Sequence, residues 1–153
     1  MATSQTQPKP VNRLLGKLVD SIHRLVWRVS GGSVGSKLGK YPILLLTTTG
    51  RKSGQPRTHA LAYFRDSDRL LVIASNGGQP QQPGWYLNLL ANPQVTVEMQ
   101  GGKRTMLAHT ADVAARARLW PQIVATAPQY AGYQAATAGI RHIPIIILVA
   151  EES

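Results

Sequence analysis

"LLLTTTGRKSGQPRTHALAYF", Leu44 to Phe64, is an apolar run that changes into a polar turn and then becomes apolar again. The turn contains the glycine and proline residues with which β-hairpins reverse direction. It also contains three cations, Arg51, Lys52 and Arg57. The stretch therefore predicts two paired strands joined by a turn. Because a hairpin needs no positive charge at its tip, the cations point to an anionic ligand at that turn.

The rest of the chain is mainly of the strand type. Short segments rich in β-branched residues, separated by turn signals, predict strands at residues 43–49, 57–65, 70–75, 94–100, 104–110 and 143–150. Two helices are predicted between them, at residues 85–91 and 112–125. Strands this apolar cannot leave their edges open to water. The pattern therefore favours a mainly β fold with flanking helices, built as a closed or split antiparallel β-barrel.

The first 40 residues have a different character from the body, which comprises residues 41–153. Between Val11 and Val29, apolar residues recur with helical spacing and leave Arg13, Lys17, Arg24 and Arg28 on the opposite face. A segment rich in glycine and serine follows at residues 30–40 and is typical of a linker. The sequence predicts a polar tail, a basic helical arm and a linker ahead of one domain.

The charge is strongly unbalanced, with 17 Lys and Arg against 7 Asp and Glu and a net charge of +10. Such an excess indicates an anionic partner: nucleic acid, an acidic membrane or a phosphorylated cofactor. The body lacks the aromatic strand or recognition helix of nucleic-acid-binding modules, so no nucleic-acid partner is expected. The arm from Val11 to Arg28 has the pattern of an interfacial helix on an anionic membrane, or of a helix that packs on the barrel.

Several kinds of catalytic site are disfavoured. There is no cysteine and the four histidines are scattered, so no metal site is expected. The few carboxylates are poorly placed for paired-acid hydrolysis. The reactive group is therefore expected to come from a bound cofactor rather than from a side chain. The sequence has neither a signal peptide nor a stretch long enough to span a membrane, which favours a cytoplasmic protein, peripheral on the inner face of the membrane if the arm binds lipid.

Three stretches of the body combine glycine with cations or aromatic residues: GRKSGQPR, ASNGGQPQQPGWYLNL and APQYAGYQ, which begin at Gly50, Ala74 and Ala127. Gly-rich turns with Lys and Arg bind phosphate or carboxylate, and an indole with several phenols suits a flat aromatic ligand. In the plainer alternative, the segment at Trp85 only caps the barrel and the cations are only solvated.

The joint occurrence of TTTGRKSGQPR, ASNGG, PGWYLNLLANPQV, WPQIV with the tyrosine pair, and IPIIIL resembles the deazaflavin-dependent nitroreductase family. These are split-barrel oxidoreductases of actinobacteria that use coenzyme F420, an 8-hydroxy-5-deazaflavin. The resemblance extends from Ile43 to Val149. It implies a hydride transfer from the reduced coenzyme to an electrophilic acceptor such as a quinone, an activated enone or a nitroaromatic. FMN in the same barrel is the alternative cofactor.

The resemblance also implies roles for individual residues. The turn would grip the phosphate and the acidic tail of the coenzyme, and the ASNGG segment and the tryptophan would border its ring. The implied cofactor-binding residues are Arg51, Lys52, Gln55, Pro56, Arg57, Ser75, Asn76, Gly77 and Trp85. The implied catalytic candidates, as hydroxyl groups near the acceptor, are Tyr130, Tyr133 and Ser75. The alternative for the tyrosines is that they plug the barrel rim.

Two positions depart from the family prototype. Ala62 and Ala127 stand where the prototype has tyrosines, so the ring is expected to be less enclosed. The missing phenol at Ala127 would leave room for a broad planar acceptor such as a quinone head group.

Overall fold

A computed structural model describes residues 41–151 of the chain. The predicted arm and linker, residues 11–40, lie outside the described residues. The strands are β1 (Ile43–Thr49), β2 (Pro56–Ala62), β3 (Phe64–Asp66), β4 (Arg69–Ile73), β5 (Gln94–Met99), β6 (Gly102–Thr110) and β7 (Ile145–Ala150). The helices are α1 (Gly84–Ala91), α2 (Val113–Thr126) and α3 (Gln129–Ala136), with a 3₁₀ turn at Asn76–Gly78.

All seven strands form one antiparallel sheet in the order β2-β1-β5-β6-β7-β4-β3. The opening stretch forms the predicted hairpin, in which Leu44 is opposite Leu61 and Thr48 is opposite Arg57. Strands β2 and β3 lie at the two ends of this order, yet only Tyr63 separates them in the chain. The sheet must therefore curl until its two edges approach each other. The predicted split antiparallel barrel is confirmed.

The inner face of the curled sheet forms the first core cluster. Alternate residues of the strands point inward because side chains of a strand alternate between its two faces. They include Leu46, Val72 and Leu148, each at most 1% exposed. Helix α1 closes this interior with Trp85 and Leu89. The helix that carries the tryptophan is thus also a cap over the barrel, as the plainer alternative proposed.

The outer face of β4 and β7 forms the second core cluster, under α2 and α3. Leu71 and Ile147 face outward and pack with Leu119 and Ile123 of α2. Both strands are therefore buried on both faces, which explains why their sequences are continuous apolar runs rather than alternating ones. Asp112 is the N-cap of helix α2, and its carboxylate accepts a hydrogen bond from the N–H of Ala115 at 2.8 Å.

The differences from the predicted elements are small. The strand predicted at residues 57–65 is two strands, because the chain bends at Tyr63, whose N–H donates to the carbonyl of Pro42 at 3.1 Å. The strand predicted from residue 143 begins at Ile145. Most of the segment APQYAGYQ belongs to helix α3, which extends to Ala136 and has Tyr130 as its one buried residue. This helix is not among the predicted elements.

Candidate active site

The cation turn, as we call residues 50–57, comprises the loop between β1 and β2 and the first two residues of β2. It lies at the mouth of the barrel. Two backbone hydrogen bonds of 2.8 Å close it, from the N–H of Gly50 to the carbonyl of Gln55 and from the N–H of Gly54 to the carbonyl of Gly50. A Cβ atom at Gly50 would lie 2.6 Å from the Ser53 hydroxyl. It would also lie 3.2 Å from the Gln55 carbonyl oxygen, so any larger residue would require the Ser53 side chain to move and the turn to adjust.

The cation turn and the start of α1 enclose an open cleft of about 310 Å³. Its lining residues are Gly50, Arg51, Lys52, Ser53, Arg57, His59, Gly84, Trp85 and Asn88. Three of them are cations and none is a carboxylate. Lys52 and Arg57 make no ion pair with any residue between 41 and 151. The cleft therefore presents positive charge that an anion can neutralise, next to a tryptophan ring.

One buried amide fixes the first cation of the turn. The Asn88 side-chain oxygen accepts hydrogen bonds from the Arg51 N–H at 3.2 Å and from its guanidinium Nη1 at 3.0 Å. The Asn88 amide nitrogen donates to the hydroxyl of Thr48 at 3.1 Å. This asparagine is not among the site residues predicted from the sequence. The available signal was a polar residue on the apolar side of a helix that caps the barrel.

The segment after β4 forms a tight loop, residues 75–78. Asn76 and Gly77 both have positive φ angles, of 47° and 63°, and the Asn76 amide donates to the carbonyl of Gln81 at 3.0 Å. Gly78, with a φ of 80°, lies so close to α3 that a Cβ atom there would be 3.3 Å from the Cα of Tyr133. The structure thus brings the ASNGG segment against the helix of the tyrosine pair.

Arg141, which is not among the predicted site residues, holds this loop in place. Its guanidinium donates to the carbonyl oxygens of Ala74, Ser75 and Gln79 and to the side-chain oxygen of Gln82, at 2.9 to 3.1 Å. The Ser75 carbonyl also accepts from Gly78 at 2.9 Å. Its hydroxyl has no hydrogen-bond partner among the residues described. Ser75 is therefore fixed by its main chain while its side chain is free to donate to a ligand.

The tyrosine pair consists of Tyr130 and Tyr133 on α3, with ring centroids 5.8 Å apart at 84°. Tyr130 is 9% exposed and belongs to the second core cluster, where its ring also meets Phe64 at 5.9 Å. Burial, together with the neighbouring Tyr133 and Tyr41, raises the pKa of Tyr130 to about 12. Tyr133 is half-buried and contacts the loop at Gly78.

The other predicted site residues are placed less centrally. Gln55 closes the cation turn through its carbonyl, and Pro56 begins β2, but neither is among the residues that line the cleft. Ala127 is fully buried in the second core cluster. The expectation of added acceptor space at this position is wrong, because the outer core already fills it.

A sequence model of the F420H(2)-dependent quinone reductase family matches residues 21–150, most of the chain. The chain belongs to this family. An F420H(2)-dependent quinone reductase of Mycobacterium tuberculosis strain H37Rv is 42% identical over 147 residues, which cover 90% of this chain and 94% of that protein. The predicted membership among the deazaflavin-dependent split-barrel reductases is confirmed.

Solved structures agree with this family assignment. The structure of an F420-H2 dependent reductase named FDR-A is similar with a TM-score of 0.60 and 37% identity, over 70% of this chain and 93% of the other. A second, described as a domain-swapped dimer, has a TM-score of 0.61 and 32% identity, over 88% and 98%. The predictions of an enzyme and of F420 as the family's coenzyme are confirmed, and the acceptor class is a small molecule.

The structure also bears on metal binding and on membrane-spanning helices. Among residues 41–151, no cluster of three or more histidines and carboxylates is arranged to hold a metal ion. No helix in that same part of the chain is both long and apolar enough to cross a bilayer.

Proposed function

We propose that this protein transfers a hydride from reduced coenzyme F420 to a quinone. The observation that carries the proposal is the cleft at the cation turn, where three cations without a carboxylate lie beside Trp85 in a member of this family. These donors fit the coenzyme, since phosphate and carboxylate groups take Lys and Arg as partners and an indole suits a flat ring. The relative from Mycobacterium tuberculosis is an F420H(2)-dependent quinone reductase.

Each side of the site has a separate task in this proposal. Lys52 and Arg57, with Arg51 beside them, hold the anionic end of the coenzyme. The loop of residues 75–78 and Trp85 border its ring, and the main-chain bonds of the loop keep it rigid. When bound and reduced, the deazaflavin supplies a hydride.

The tyrosine pair and Ser75 face the acceptor in this proposal. A quinone that accepts a hydride also needs a proton at its oxygen. At neutral pH the raised pKa keeps the Tyr130 phenol protonated, so it donates a hydrogen bond but gives up its proton reluctantly. Tyr133 is half-buried and is therefore the more accessible proton donor, while the free hydroxyl of Ser75 can hold the acceptor oxygen by a hydrogen bond. Tyr130 holds Tyr133 in place through their ring contact.

Comparing two cofactors and three acceptors tests the proposal. Purified protein is titrated with F420 and with FMN by fluorescence, and the oxidation of reduced F420 is followed with a menaquinone analogue, an activated enone and a nitroaromatic. We expect a lower Kd for F420 than for FMN and the highest kcat/KM with the menaquinone analogue. Tight binding of FMN without binding of F420 contradicts the cofactor assignment. Equal turnover with all three acceptors contradicts the quinone.

We further propose that residues 1–40 act as an arm separate from the barrel domain of residues 41–153, and that Val11 to Arg28 lies on the inner face of the membrane. The basic face and the apolar stripe of its sequence support this, since both recur in interfacial helices. Flotation with anionic liposomes compares the full chain with a chain that begins at Lys40. Equal binding by both chains contradicts the membrane proposal and leaves the reductase proposal intact.

A further inference from the structure

Asn88 is a polar side chain in an apolar place. It is 5% exposed and lies one helical turn after Trp85 on α1, so both residues face the barrel mouth. Its amide makes three hydrogen bonds, two received from Arg51 and one donated to Thr48, which is 1% exposed. Burial of a polar group costs free energy unless its hydrogen bonds are made. Here all three hydrogen bonds join helix α1 to the cation turn and to β1.

The chemistry of the group matters as much as its position. A carboxylate at this point would orient Arg51 equally well, but it would also neutralise its charge. An amide oxygen accepts the same bonds and carries no net charge. Among residues 41–151, no carboxylate lines the cleft and Arg51 makes no ion pair. The guanidinium is therefore held in one place with its positive charge uncompensated.

We propose that Asn88 is a positioning residue for the coenzyme, which holds Arg51 as an uncompensated cation for the anionic end. Because Asn88 and Trp85 share one face of α1, it also sets the distance between this anion site and the tryptophan that borders the ring. This inference rests on the proposed function. It adds the residue that aligns the two ends of the coenzyme site.

Asn88→Asp tests the charge with little change of shape. The carboxylate can still accept both bonds from Arg51, and the Thr48 hydroxyl can turn to donate to it. We expect the Kd for F420, measured by fluorescence quenching, to rise about ten- to a hundredfold. The new carboxylate neutralises Arg51, and the charge-assisted hydrogen bond from Arg51 to the anionic end of the coenzyme is lost. We also expect the Kd to depend less steeply on salt, because one cation of the cleft is neutralised. A purely structural role would not change the salt dependence.

Asn92→Asp is the matched control. Asn92 lies one turn further along, just after the last residue of α1, and is exposed, and its side chain accepts a bond only from the N–H of Gln94 at 3.3 Å. The substitution introduces the same charge outside the cleft. We expect the Kd to change by about twofold or less, as for most surface substitutions. Equal increases in Asn88→Asp and Asn92→Asp would overturn the inference, since they would show only the effect of net charge.

A double-mutant cycle with Arg51→Ala and Asn88→Ala gives a second measurement, with thermal denaturation of each variant to confirm folding. If Asn88 acts through Arg51, its truncation raises the Kd in the wild-type background and has little further effect beside Arg51→Ala. Additive effects on the Kd would overturn the inference. A wild-type protein that does not bind F420 would instead refute the proposed function, which separates the two failures.

Discussion

The cation turn and the tyrosine pair belong to one proposed site but are built in opposite ways. The turn keeps Lys52 and Arg57 exposed and fixes its shape through main-chain bonds and one buried amide. The pair is carried by a helix, and Tyr130 is part of the second core cluster. Ligand binding and folding stability are therefore separable at the turn and are coupled at the pair. Substitutions on the two sides test this contrast.

The largest effect is expected from Tyr130→Ala. Removal of this buried ring leaves a cavity against Phe64 and the outer core, which destabilises the fold by roughly 3 kcal/mol. Urea denaturation measures the free energy of unfolding. Gln129→Ala, an exposed change on the same helix, is the control and leaves stability nearly unchanged. An unaltered stability of Tyr130→Ala would remove the contrast between the two sides.

Tyr133→Phe sharpens the contrast because it removes only the hydroxyl. We expect kcat/KM for a menaquinone analogue to fall about a hundredfold, as for loss of a positioned proton donor, with the Kd for F420 unchanged. Tyr130→Phe should have a smaller effect, because that hydroxyl belongs to a ring buried in the second core cluster and its raised pKa makes it a poor proton donor. If coenzyme affinity falls while acceptor kinetics hold, the pair contacts the coenzyme and not the acceptor.

Lys52→Ala and Arg57→Ala examine the other side. Each removes an exposed cation that makes no ion pair within residues 41–151, so stability should not change. The Kd for F420 should rise about ten- to a hundredfold in each variant, the cost of a charge-assisted hydrogen bond. Lys103→Ala, an exposed cation on β6 outside the cleft, is the control. Unchanged titration curves for Lys52→Ala and Arg57→Ala would mean that the turn is only solvated.

The smallest effect is expected at Asp66, which anchors the turn before β4 to α2. Its carboxylate pairs with both guanidinium nitrogens of Arg118, at 3.0 and 3.1 Å, and with Arg69, and these bonds lower its pKa from 3.8 to about 2. A lowered pKa contributes stability above pH 3.8, and this is lost as the pH falls towards 2.

Asp66→Asn should reduce the free energy of unfolding at pH 7 by no more than about 1 kcal/mol, since the pairs are near the surface. The loss should disappear in acid, when the wild-type carboxylate is also protonated. Asp68→Asn, in the same turn but exposed, is the control. A loss at Asp66 that is equally large in acid would show that the ion pairs are not its cause.

Much of the barrel could be predicted because its signals are local. Alternating or continuous apolar runs identify strands, and the glycines of the cation turn mark the hairpin that starts the sheet. The cationic side of the site was equally visible, since three cations in a tight turn are close in sequence and in space. The split of one predicted strand at Tyr63 was not visible, because the bend comes from tertiary closure of the sheet.

The missed parts of the site depend on contacts distant in sequence. Asn88 meets Arg51 across 37 residues, and Arg141 meets Ser75 across 66. No local pattern distinguishes an asparagine that bonds to a distant turn from one that faces water. The burial of Tyr130 was hidden for the same reason, because its ring meets Phe64 of β3 and belongs to a core cluster built largely from β4, β7 and α2.

The position of β7 has a consequence for how a newly made chain matures. This last strand lies between β6 and β4, and without it the sheet is two separate pieces. Its approach also brings Arg141 to the loop at residues 75–78, over separations of 59 to 67 residues. Contacts of such range form late, after the segments that join them have been ordered. The loop that we propose to border the coenzyme ring therefore takes its final shape only once Arg141 and β7 have been synthesised, so in this proposal the capacity to bind is acquired late.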